Sequence, residues 1–136
     1  MAALLTRLVL AAFAIVIALH AAQTTDGVLT RLTKVNFFAF GGVGFAGAIS
    51  QGERDYRTIL ARPTAQSDFE TLFDQGNQES KCYALAGLHR INPKRFETIA
   101  ASLRDSKTDV LTMRGCIRWR RSVASVLHSI ESNSYR

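Results

Sequence analysis

NQESKCYALAGLHRINPKRFETIAASLR, residues 77–104, is the stretch on which the fold turns. Asn77 can cap a helix that runs to about Arg90, in which Cys82, Leu85, Ala86 and His89 recur at i, i+3, i+4 and i+7. That spacing marks one helical face, and Tyr83 and Leu88 widen it. Asn92-Pro93 then supplies a second cap with proline at the first helical position, where its missing N–H removes no helical bond. Phe96, Ile99, Ala100 and Leu103 stay in helical register to about Arg104. Helices joined by so short a turn fold back on one another. The predicted fold class is therefore mainly α, built on a helical hairpin at residues 77–104.

The YALAGL hairpin resembles a HEAT-type helical hairpin, over residues 77–104 alone. A solenoid needs about three repeats, and the chain carries no second copy. Working outward, Ser50-Gln51-Gly52-Glu53 and Ser67-Asp68-Phe69-Glu70 have the spacing of capping boxes. They predict one helix at 51–60, stopped by Pro63, and a short one opening at Ser67 and closed by Gly76. A last helix is expected at 122–132 on Val123, Val126, Leu127 and Ile130. Residues 23–34 read as a flexible lead-in or a short helix on Val28, Leu29 and Leu32. Residues 35–132 then make one compact domain, followed by a tail at 133–136.

FFAFGGVGFAGAIS, residues 37–50, contains Gly42, Gly44 and Gly47 in the G-x-G-x-x-G spacing of a dinucleotide-binding turn. The context does not fit that use. The next helix begins at Ser50 rather than at the glycines, and no second strand ending in an acid follows. The expectation is a strand or a buried irregular segment with close backbone approach. VLTMRGC alternates as a strand, so a two-stranded β element pairing residues 37–45 with 109–116 is predicted. No cofactor is expected.

Leu8 to Leu19 is an uninterrupted apolar run behind Arg7. It is too short for a ~30 Å hydrocarbon core but suits a signal peptide, which predicts export, periplasmic or secreted, with residues 1–22 removed. The alternative is an uncleaved membrane anchor. Export would favour a disulfide between Cys82 and Cys116, the only cysteines. With no Cys-x-x-Cys pair and three histidines in the whole chain, no metal site is expected.

The net charge of +6 biases the protein toward an anionic partner: a protein, a polysaccharide or a lipid headgroup. Nucleic acid is disfavoured outside the cell, and a membrane enters only if residues 1–22 are retained. Arg114, Arg118, Trp119, Arg120 and Arg121 form the most distinctive polar stretch, read as a basic turn. Arginine forks bind phosphates and carboxylates, and tryptophan can stack or sit at an interface. The leading expectation is a non-enzymatic binding or accessory domain using that turn. A small secreted hydrolase or toxin-like effector, using His89 or His128 with a nearby acid, is the alternative. A membrane-tethered structural subunit is the third.

Overall fold

Asn77 caps the central helix as its sequence predicts: its side-chain oxygen accepts the Ser80 N–H at 2.9 Å. The computed structural model describes residues 27–135, so the expected signal at 1–22 lies outside the described residues. In chain order the elements are α1 (residues 27–32), β1 (Gly42–Val43), β2 (Ala48–Ile49), α2 (Gln51–Leu60), α3 (Ala65–Gln75), α4 (Gln78–Ile91), α5 (Pro93–Ala100), β3 (Asp109–Arg114), β4 (Ile117–Ser122) and α6 (Val123–Glu131). A 3-10 turn at Ala101–Leu103 extends α5. The molecule is mainly helical, with the expected hairpin in α4 and α5.

Every residue of α4 from Cys82 to Leu88 is buried. A helix apolar all round belongs inside, and α2, α3, α5, α6 and β3 all pack on this one. Its small residues set how closely they approach. At Gly87 an added Cβ would lie 2.4 Å from the Phe69 ring on α3. Ser80, fully buried, donates to the Leu32 carbonyl at 2.6 Å and so ties the end of α1 to α4.

The first capping box forms only by half. The Ser50 hydroxyl accepts the Glu53 N–H at 3.1 Å, but the Glu53 carboxylate does not reach back. It accepts instead from the Gly41 N–H at 2.8 Å and from Arg57 at 2.6 Å, and it is 1% exposed. The second box is displaced. Helix α3 opens behind Thr64, because Asp68 is engaged by the Thr64 hydroxyl at 3.0 Å and by Arg62 at 3.2 Å.

Phe38, Phe40, Tyr56, Tyr83 and Tyr135 form an aromatic cluster with ring centroids 4.8–6.0 Å apart. The Tyr83 hydroxyl donates to the Ala39 carbonyl at 2.8 Å and accepts its N–H at 3.1 Å, holding residues 37–40 extended across the core. Burial pushes this phenol up to about 12. The anticipated β pairing is present and parallel, as two bridges, Phe38 with Thr112 and Val43 with Gly115. Parallel pairing needs a long crossover, which α2 to α5 supply.

Three expectations are corrected. Of the two readings of the glycine-rich segment the buried irregular one does not hold: within residues 37–49 only Phe38 and Ala39 are buried, and from Gly41 to Ile49 the chain is a short-stranded hairpin mostly in solvent. Arg118 to Arg121 is not a turn but strand β4, antiparallel to β3 in the register Thr112–Trp119. Finally, Cys82 and Cys116 are not joined: one is buried in α4, the other exposed at the hairpin tip. Leu111 N–H reaches Glu79 of α4 at 2.9 Å, and Cys116 lies five residues further along the strand. At ~3.4 Å per residue Cys116 is about 17 Å along the strand from the point where β3 meets α4, against a ~7 Å Cα–Cα limit for a disulfide.

Candidate functional site

The β3–β4 hairpin turns through Gly115 and Cys116, with Gly115 at φ +54, as the first position of a two-residue II′ loop demands. Side chains facing each other across antiparallel strands share a face, and the register therefore sorts the candidate residues. Arg114, Ile117, Trp119 and Arg121 lie on one side of the hairpin, with Val110 and Thr112 of β3. Arg118 and Arg120 lie on the other, with Leu111 and Met113. The four arginines, all within residues 114–121, are split into two pairs.

On the first side Arg114, Trp119 and Arg121 line a cleft of about 280 Å³ with Phe40, Ser129, Ser134 and Tyr135. Among the described residues no carboxylate lines it. Trp119 is 38% exposed, and its carbonyl accepts the Thr112 hydroxyl at 3.0 Å. Arg121 is engaged: its guanidinium donates to the Ser125 carbonyl at 2.8 Å, the Ser129 hydroxyl at 2.7 Å and the Tyr135 hydroxyl at 2.9 Å. It braces α6 and the tail rather than facing a ligand. On the second side Arg118 stacks over Phe37, 5.4 Å from the ring centroid, and Arg120 is exposed.

Arg114, Arg118 and Arg120 have no carboxylate partner among the described residues. The helices differ. Arg31 pairs with Asp55, Arg57 with Glu53, Arg62 with Asp68, Arg95 with Glu70, and Arg104 with both Glu97 and Glu131. Strands β3 and β4 carry four arginines against one acid, Asp109 at the end away from the turn, and no ion pair joins them among the described residues, so most of their charge is not compensated locally.

Neither histidine joins a triad-like arrangement. His89 packs edge-on against Phe96 at 4.8 Å and borders a cleft of about 350 Å³ with Tyr56, Arg90 and Tyr135, again with no acid among the described residues. His128 is exposed on α6. Gly42, Gly44 and Gly47 shape the β1–β2 hairpin, the last two at φ +72 and +63. They do not open a helix. Among the described residues no group of three or more His, Cys, Asp or Glu is placed to hold a metal.

Sequence reasoning missed Phe40, Tyr135, Phe45 and Ile117. Phe40 and Tyr135 border the cleft, Phe45 is fully exposed, and Ile117 is 67% exposed. The available signal was a phenylalanine isolated between glycines, where no neighbouring side chain can cover it. The chain matches no known protein family, and no curated protein or solved structure is detectably similar to it.

Proposed function

We propose that the protein is a non-enzymatic binding domain that presents the β3–β4 hairpin to an anionic partner. The reading rests on one observation: Arg114, Arg118 and Arg120 are exposed near Trp119 with no carboxylate partner among the described residues, while five of the seven arginines of the helical body are matched with carboxylates. Unpaired guanidinium forks attract phosphate, sulfate or carboxylate groups, and an acid-free strand adds their fields. Export belongs to the same proposal and is supported by the apolar run Leu8–Leu19 behind Arg7.

Retention on immobilised heparin, used as a generic polyanion, tests the binding. The variant Arg114→Gln/Arg118→Gln/Arg120→Gln should elute at lower salt and show a flatter salt dependence, because fewer counterions are exchanged. Unchanged elution would remove the hairpin from the interaction. Intact mass of the protein from cells tests export. A mass lacking about residues 1–22 supports it, and a full-length mass counts against it.

A further inference from the structure

We infer that the anionic partner is a phospholipid bilayer surface, docked by the paired tips of the β1–β2 and β3–β4 hairpins. This rests on the anionic-partner reading and names that partner. Gly44 N–H donates to the Gly115 carbonyl at 2.9 Å, and Gly115 N–H donates to Gly42 at 3.1 Å, so the two tips lie side by side. Each carries an apolar side chain that no described residue covers: Phe45, 103% exposed, and Ile117, 67% exposed. Trp119 follows two residues behind Ile117 on the same face, and Arg114 and Arg118 flank the turn.

The shape selects the partner. Phe45 lies in the β1–β2 turn and Ile117 directly after the Gly115–Cys116 turn, both exposed, with glycine at 42, 44, 47 and 115 adding no side chain beside them. A protrusion of this kind needs an acceptor that deforms around it, as the interfacial zone of a bilayer does. The charge agrees, since basic residues just behind an apolar tip meet the phosphates while the tip enters the acyl boundary. Tryptophan at that level matches its preference for the interface. The backbone contributes too. Unpaired peptide groups resist entering an apolar medium, and here Gly42, Gly44 and Gly115 pair with one another.

Trp119 is the only tryptophan, so its emission reports this hairpin and not binding by residues 1–26. Full-length protein is titrated with phosphatidylcholine vesicles and with equimolar phosphatidylcholine–phosphatidylglycerol vesicles. The expected result is a blue shift with the mixed vesicles only, quenched by lipids brominated near the headgroup end of the chains. Phe45→Ser/Ile117→Ser should weaken vesicle binding by about tenfold while leaving heparin retention unchanged. The triple arginine variant should weaken it by about a hundredfold and elute from heparin at lower salt as well. Both variants alter exposed side chains, and circular dichroism verifies that they fold.

Heparin retention that depends on the arginines, with Trp119 emission unmoved by vesicles, overturns the bilayer and leaves the anionic reading intact. Failure of both sinks both. A vesicle response equal in wild type and Phe45→Ser/Ile117→Ser overturns the docking by the tips. So does a blue shift that follows protein concentration without vesicles, which would make a second copy the occupant.

Discussion

The helical body and the paired hairpins solve opposite problems with the same residue types. In the body, phenylalanine and tyrosine are buried edge to face and five arginines end on carboxylates. In the hairpins, phenylalanine and isoleucine stand in solvent, and three arginines have no acid within reach among the described residues. A chain that folds only for its own stability gains nothing from the second arrangement. Apolar surface left in water forgoes about 25 cal/mol per Å², and clustered like charges repel. The body is organised to satisfy itself, and the hairpins are left to be satisfied by something else.

The two cysteines give the widest separation between the regions. Burial, and after it the Glu79 carboxylate, push the Cys82 thiol up to about 12, whereas Cys116 is exposed at the tip. Native protein at neutral pH should alkylate at Cys116 about a thousandfold faster than at Cys82, which reacts only when α4 opens. Comparable rates would mean that the body is loosely packed. The same thiol sets a pH dependence. The folded state holds the Cys82 proton more tightly than the unfolded chain, whose thiol keeps its ordinary value near 9. The stability this contributes is complete below about pH 9 and drains away as the pH rises toward 12. Urea midpoints measured between neutral and alkaline pH should fall, and Cys82→Ala should flatten the fall.

Substitutions in the core come next. Leu88→Ala removes a fully buried side chain where five elements converge on α4, and should cost about 2–5 kcal/mol. Gly87→Ala drives a methyl into the Phe69 ring and should cost about 1–3 kcal/mol, since a closely packed interior has no room to yield. Urea denaturation reads both. A Gly87→Ala protein as stable as wild type would show that the contact between α3 and α4 is slacker than its geometry.

What the sequence made legible follows this same division. Helices α2, α4 and α5 could be read because their caps and apolar spacings are local: Ser50, Asn77 and Asn92 each accept the N–H three residues on. Strand β4 was not legible. Its signal should be alternation between a buried and an exposed face, yet Ile117 through Arg120 are all exposed, so the pattern is flat. Its strand character comes from β3, which sits against the core through Val110 and Thr112 and offers its free edge. The cysteine pairing failed for a related reason, because compartment and number say nothing about which end of a strand points where. The arginine stretch was visible, but its division between two faces required the register. Arg121 has the same letter as its neighbours and a different role.

That difference supplies the smallest and most discriminating effect. Arg121 reaches Ser125, Ser129 and Tyr135, so Arg121→Gln should lose about 1–2 kcal/mol as charged hydrogen bonds to α6 and the tail disappear. Arg120, opposite Leu111 on the outer face and exposed, makes no such bond, and Arg120→Gln should stay within about 0.5 kcal/mol of wild type. Equal costs would mean that the hairpin arginines all serve the fold and that the contrast with the body is superficial. A neutral Arg120→Gln that still elutes earlier from heparin would separate the two uses of arginine within a single strand. One residue would brace the hairpin against α6, and the residue before it, facing the opposite way, would serve only what the hairpin meets.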